Sequence, residues 1–297
     1  PLFRSPKIVQ LVASSEHTGL AREVARQSIV LLKNKDKLLP LKKDIRTLAV
    51  IGPNADNVYN MLGDYTAPQA DGTVVTVLDG IRQKVSKETR VLYAKGCAVR
   101  DSSRTGFKDA IEIARNADAV VMVMGGSSAR DFSSEYEETG AAKVTINQIS
   151  DMESGEGYDR ATLHLMGRQL ELLEEISRLG KPVVLVLIKG RPLLMEGAIQ
   201  EAEAIVDAWY PGMQGGNAVA DVLFGDYNPA GRLTLSVPRS VGQLPVYYNT
   251  RRKGNRSRYI EEPGTPRYPF GYGLSYTTFS YTDMKVQVTE GSDDCRV

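Results

Sequence analysis

Five short apolar runs, each closed by a turn, constrain this chain more than anything else in it. Thr47–Ile51, Val91–Tyr93, Ala119–Met124, Val183–Leu187 and Ala204–Ala208 are nearly continuous in their hydrophobicity. A strand with one wet face alternates apolar and polar residues, whereas a strand covered on both faces reads as an unbroken run. Between the runs lie segments with apolar residues at helical spacing: Val77–Lys84, Thr105–Asn116, Gly167–Leu179 and Gly216–Leu223. The repeated order strand, helix, strand predicts an α/β fold, with a doubly wound, mostly parallel sheet sandwiched by helices.

This pattern occupies residues 41–247. Residues 1–40 read as a lead-in: a stretch of helix formers over Glu16–Gln27, then Ser28-Ile29-Val30-Leu31-Leu32, ended by the turn signal Lys33-Asn34-Lys35-Asp36. Residues 248–297 read as an extension. Its first half is polar, basic and rich in Pro and Gly. From Thr277 the residues Phe279, Tyr281, Met284, Val286 and Val288 follow a strand-like pattern, as at the start of a further small β domain.

Composition excludes several classes of function. With 37 Lys and Arg against 36 Asp and Glu, no basic excess points to nucleic acid or to an anionic membrane surface. The cluster Arg251, Arg252, Lys253, Arg256 and Arg258 reads as a solvated loop. No apolar run approaches the roughly 18 residues that cross a bilayer. The N-terminus lacks both a signal-peptide core and an initiator Met, so the chain reads as a piece of something longer whose address is not legible. Cys97 and Cys295 fit no metal spacing, and Cys97 reads as a buried thiol. His17 and His164 are far apart and have no partners at ligand spacing, so no metal is expected.

In a doubly wound sheet the working residues gather beyond the C-terminal strand ends. The longest loop so placed runs from Gly125 to about Ala161 and carries Asp131, Glu135, Glu137, Glu138, Asp151, Glu153, Glu156 and Asp159. A charged loop is usually a solvated surface, but Ser154-Gly155-Glu156-Gly157-Tyr158-Asp159-Arg160 sets one carboxylate between two glycines. Glycines permit positive φ and remove bulk beside that carboxylate, so Glu156 can project into a shared cleft; a surface turn is the other reading. Asp159 and Arg160 can anchor the loop end by ion pairing. Tyr158, Arg130 and Asp131 are further candidates for substrate contact or loop support. Gly125-Gly126-Ser127-Ser128 follows a strand but matches neither the dinucleotide fingerprint nor the P-loop, and no nucleophile elbow is present, so no cofactor is expected. Trp209-Tyr210-Pro211 reads as core or rim.

The blocks Ser28–Asn34 with Leu39-Pro40-Leu41, Ala208-Trp209-Tyr210-Pro211-Gly212, Asp221–Leu233, Gly242–Asn249 and Pro269–Thr277 resemble, in order, the second domain of family 3 glycoside hydrolases. The resemblance implies a retaining, exo-acting β-glycosidase whose Asp nucleophile lies in a preceding (β/α)₈ barrel, absent from these residues. It implies that the sandwich domain supplies the acid/base, Glu156 in the subgroup with a Gly-Glu-Gly-Tyr segment, and that the tail leads into a truncated fibronectin III-like domain. Terminal β-D-glucosyl residues are the expected substrate, with β-xyloside second, and the chain alone is expected to be inactive. Retention needs two carboxyl groups about 5–5.5 Å apart, one of them an acid that keeps its proton near neutrality until it acts. A non-catalytic carbohydrate-binding or interaction module is the alternative from another class. In a phosphorylase or β-N-acetylhexosaminidase branch the acid/base is a barrel His; the Gly-Glu-Gly-Tyr segment argues against it. A periplasmic or extracellular bacterial setting follows by family analogy alone.

Overall fold

The structure is a computed structural model that describes residues 11–129, 138, 151–249, 259–285, 287–288 and 295–296. Its elements run α1 (Ser15–Ser28), β1 (Val30–Asn34), β2 (Thr47–Ile51), α2 (Val77–Lys84), β3 (Arg90–Ala94), α3 (Phe107–Arg115), β4 (Ala119–Gly125), α4 (Gln169–Ser177), β5 (Val183–Ile188), α5 (Glu196–Glu201), β6 (Ala204–Trp209) and α6 (Gly215–Leu223). Six strands form one sheet in the order β1–β6–β5–β4–β2–β3, all parallel except β1, which runs antiparallel to β6. The order reverses between β2 and β4, which is the topological switch point of such a sheet.

The unbroken apolar runs are explained by two separate cores. Along β4, Val121 and Val123 face one cluster with Leu78, Ile81 and Val219, while Val120, Met122 and Met124 face another with Phe107, Leu172 and Ile176. Successive side chains of a strand point to opposite faces, so a strand with helices on both sides needs an apolar residue at every position. Each such side chain contributes roughly 1.5–3 kcal/mol through burial. Helix α2 shows the local logic at its start: Thr76 Oγ1 accepts from the Asp79 N–H at 3.2 Å, and Val77, Leu78 and Ile81 face inward.

The stretch expected as a lead-in packs within this fold. Strand β1 pairs with β6, and α1 lies against α6. Helix α1 turns basic residues, not an apolar stripe, towards its neighbour. Asp221 of α6 has a fully buried side chain that accepts from Arg22 at 2.7 and 2.6 Å, from Arg26 at 2.7 Å and from Lys84 of α2. Burial alone would push the Asp221 carboxyl up, but hydrogen bonds from Arg22, Lys84 and Arg26 outweigh it and hold it at about 2.

Part of the extension also packs on the sheet. Tyr268 is buried, its carbonyl accepts from the Val237 N–H at 2.8 Å, and the Leu274 N–H donates to Leu31 O at 2.8 Å. The strand-like pattern from Thr277 forms no strand over 277–285, where Phe279, Tyr281 and Met284 stand exposed; Gln287–Val288 pairs with Cys295–Arg296. An alternating pattern needs a partner to bury its apolar face, and among the described residues those three side chains meet none that covers them. Cys97 is a buried free thiol whose ionisation burial pushes up to about 12, which disfavours the thiolate. The Arg251–Arg258 cluster lies outside the described residues.

Candidate active site at the switch point

Beyond the C-terminal ends of β2, β4 and β5, a buried polar lattice ties the strand ends together. Asn54 Nδ2 donates to Gly126 O at 3.0 Å and to Ile188 O at 3.2 Å, so one side chain bridges the ends of β4 and β5. Asn60 Nδ2 donates to Asn54 Oδ1 at 2.7 Å, and Ser127 Oγ donates to Asn60 Oδ1 at 2.6 Å. Every buried polar group in this run of bonds is satisfied by another, the condition under which such a network makes a site rigid.

The segment 151–160 is moored on that lattice. The Glu153 N–H donates to Ser127 O at 2.8 Å, Asp151 Oδ1 accepts from the Val99 N–H at 3.0 Å, and Arg100 Nη1 donates to Met152 O at 2.7 Å. Glu153 is 3% exposed, and its Oε2 accepts from Arg160 Nη1 at 2.6 Å. Gly126 leaves the room this needs, because a Cβ there would lie 2.0 Å from Glu153 Oε1. That second oxygen has no hydrogen-bond partner among the described residues. The Ser154 and Tyr210 hydroxyls lie 3.4 Å apart.

From this base the chain rises into a tight turn. The Tyr158 N–H donates to Gly155 O at 3.1 Å, with Gly155 at φ +115° and Gly157 at φ +81°. Glu156 sits at the tip, exposed to solvent. The Tyr65 hydroxyl donates to its Oε2 at 3.3 Å, and its N–H donates to Asp64 Oδ2 at 3.3 Å. The arrangement is that of a carboxyl group held out over a fixed base, able to give or take a proton from a molecule arriving from outside.

The residues singled out by sequence fare differently. Tyr158 is half-buried and closes the turn through its backbone. The Arg160 guanidinium anchors the loop through Glu153 and His164 O, and the expected ion pair with Asp159 does not form. The Asp159 side chain is 99% exposed, accepts from the Arg160 N–H at 2.8 Å and lies 3.9 Å from Arg191. Arg130 and Asp131 lie outside the described residues, as do Glu135 and Glu137. Sequence reading did not find Asp64, Tyr65 or the role of Glu153.

A second buried pair stands beside the lattice at the ends of β5 and β6. Lys189 Nζ lies 2.6 Å from Asp207 Oδ2, without the alignment of a hydrogen bond, and 3.7 Å from the centre of the Trp209 ring. Trp209 has φ +54°, rare for a bulky residue, and the β5–β6 register shifts there. The indole face and the carboxylate together compensate a cation that is almost wholly withdrawn from water.

Comparison with known proteins agrees with this architecture. The description "Glycosyl hydrolase family 3 C-terminal domain" matches residues 29–276. A protein named β-xylosidase from Formosa agariphila is 43% identical over 286 residues, covering 93% of this chain and 36% of its own length. One named periplasmic β-glucosidase from Salmonella typhimurium is 41% identical over 298 residues, covering 90% of this chain and again 36% of its own length. The solved structure of a β-glucosidase from Erythrobacter marinus superposes with a TM-score of 0.79 at 37% identity, over 94% of this chain and 38% of that one. The present chain thus spans little more than a third of such relatives, and it belongs to glycosyl hydrolase family 3 as that family's C-terminal domain.

Proposed function

We propose that this domain supplies the general acid/base, Glu156, of a retaining exo-β-glycosidase that removes terminal non-reducing β-D-glucosyl residues. The nucleophile is an Asp in a barrel domain of the full-length protein, and the domain by itself does not turn over substrate. The observation that carries the reading is the placement of Glu156: an exposed carboxyl on a glycine-flanked tip whose base is moored to the strand ends at the switch point. An acid/base that serves a nucleophile on another domain has to project from its own domain yet hold its position, and this turn does both.

In the first half of the reaction Glu156 gives its proton to the glycosidic oxygen while the nucleophile attacks the anomeric carbon. In the second half it takes a proton from the water that releases the sugar. Tyr158 and Arg160 support the turn. The relative named β-xylosidase is at least as similar as the one named β-glucosidase, so a β-xyloside is the second reading for substrate. An exported, periplasmic or extracellular setting belongs to the same reading and is supported by the relative named periplasmic.

The test is an assay of the full-length protein, wild type and Glu156→Ala, on aryl β-glucosides and β-xylosides with activated and poor leaving groups. Loss of general acid catalysis costs about 10²–10⁴-fold on the poor leaving groups and far less on activated ones. Azide restores turnover on the activated ones by attacking the covalent intermediate in place of the water that Glu156 no longer activates. A variant as active as wild type on poor leaving groups would remove Glu156 from the mechanism. The wild-type panel names the sugar.

A further inference from the structure

The side chain that follows β6 meets the loops beyond three other strands. Tyr210 is half-buried, and its ring lies against Gly63 in the loop after β2 and against Gly190 in the loop after β5. A Cβ at Gly63 would stand 3.2 Å from Tyr210 Cδ2, and one at Gly190 only 2.6 Å from its Cε2. Both loops thus come closer to the ring than a side chain on either would comfortably permit. The phenol oxygen lies 3.4 Å from Ser154 Oγ, at the base of the segment after β4 and two residues before Glu156.

The ring is itself held from behind. Trp209 leaves the strand at φ +54°, its N–H donating to Asp207 Oδ1 at 3.3 Å and its carbonyl accepting from the Lys189 N–H at 3.1 Å. The buried Lys189–Asp207 pair, with the indole face against the ammonium, fixes the backbone from which Tyr210 projects. The Gly212 N–H donates to Met61 O at 2.9 Å, which ties the same turn to the loop after β2. Packed interiors are nearly incompressible, so a rigid ring caught between strand ends sets the distances between them. Resting on the assignment of Glu156 above, we propose that Tyr210 is a positioning residue of the reaction, its ring the spacer that sets where the segment carrying Glu156 stands. The contact at 3.4 Å is long for a hydrogen bond between hydroxyls, so the ring and not its oxygen does the placing. Tyr210 exchanges no proton and acts only through the carboxyl.

The experiment measures kcat/KM in the full-length protein against leaving-group acidity, for Tyr210→Ala, Tyr210→Phe and Gly190→Ala, with Glu156→Ala as the reference. Displacing a catalytic group by about 1 Å costs on the order of 10²-fold, and Tyr210→Ala falls by about that much on poor leaving groups. On activated leaving groups, which depart without a proton, it falls far less. A merely structural loss would lower the active fraction, and with it kcat/KM, by one factor for every leaving group. Tyr210→Phe keeps the ring and stays within about threefold of wild type, since a long hydrogen bond contributes little. Gly190→Ala keeps the ring but drives a methyl group into it, from backbone outside the positive-φ region, and reproduces the loss on poor leaving groups. That variant decides the matter where Tyr210→Ala does not fold. Added to Glu156→Ala, Tyr210→Ala removes nothing further on poor leaving groups, because its effect passes through the carboxyl. Equal losses on all leaving groups, a Tyr210→Phe as impaired as Tyr210→Ala, or wild-type values in every variant of Tyr210 and Gly190 that folds would each overturn the proposal and leave the acid/base assignment standing. An unimpaired Glu156→Ala would overturn it by removing that assignment.

Discussion

Asp221 and Glu153 are both carboxylates withdrawn from water, and they are compensated in opposite ways. Asp221, in the C-terminal half of α6, accepts from Arg22, Arg26 and Lys84, so three cations from two other helices converge on one charge. Among the described residues Glu153, beneath the strand ends, has Arg160 as its one cation, and its Oε1 has no hydrogen-bond partner. The first arrangement welds elements distant in sequence and has cations to spare. The second joins two points of one loop, seven residues apart, and rests on a single bond. Redundant compensation belongs to the frame of the domain, and minimal compensation to the part that carries the proposed chemistry.

The contrast breaks first at Asp221. Asp221→Ala removes the anion that three cations share, of which Lys84 keeps Asp226 and Arg26 keeps Glu23, and lowers global stability by about 3 kcal/mol, read as a shift of the denaturant midpoint. A loss below about 1 kcal/mol would show that the cluster is decorative. Acid titration sharpens the point. The Asp221 carboxyl lies lower in the folded chain, about 2, than its ordinary 3.8. Its contribution is therefore complete above about pH 4 and lost as pH falls towards 2. That slope in stability should be present in wild type and missing in Asp221→Asn.

Arg160→Ala comes next. It leaves Glu153 buried without a cation, but a loop can open locally where a helix bundle cannot, so the global midpoint falls by only about 1–2 kcal/mol. Limited proteolysis within 151–165 should accelerate far more than global unfolding does. Arg160→Lys should recover only part of the loss, since an ammonium cannot serve Glu153 and His164 O with one planar fork. A midpoint shift as large as that of Asp221→Ala would erase the distinction between frame and loop. The smallest effect belongs to Asp159→Asn, which should stay within about 0.5 kcal/mol of wild type, since an exposed pair 3.9 Å apart contributes little.

Legibility in the sequence follows the range of the forces involved. Strand β2 and helix α2 were readable to the residue, because complete burial of a strand and one-sided burial of a helix leave periodic marks. Helix α5 was not, having six residues and only Ala198 buried; its C-terminal carbonyls at Ile199 and Ala202 are met by Lys33 from β1, a contact no local pattern records. Glu156, the proposed acid/base, stands out in the sequence through its flanking glycines. Tyr65 and Asp64 did not, since nothing near them in sequence refers to a loop some 90 residues on. Among several carboxylates of one loop, which becomes buried is settled by Gly126 and Ser127 beneath it, and so Glu153 could be named but not ranked.

Strand β1 does more than complete the count of the sheet. Strand β6 has an apolar, buried face on either side, and without β1 one whole flank of its peptide groups would stand unpaired. Such a flank is a template for any extended chain that drifts past it. The antiparallel β1 fills it, and the bridge from Leu274 to Leu31 guards the outer side of β1 in turn. A fragment begun at residue 41, where the alternation of strands and helices first becomes plain, would keep most of both cores and lose that guard. Its expected fate is self-association into β-paired aggregates, so the stretch before residue 41 would serve the domain as an edge guard.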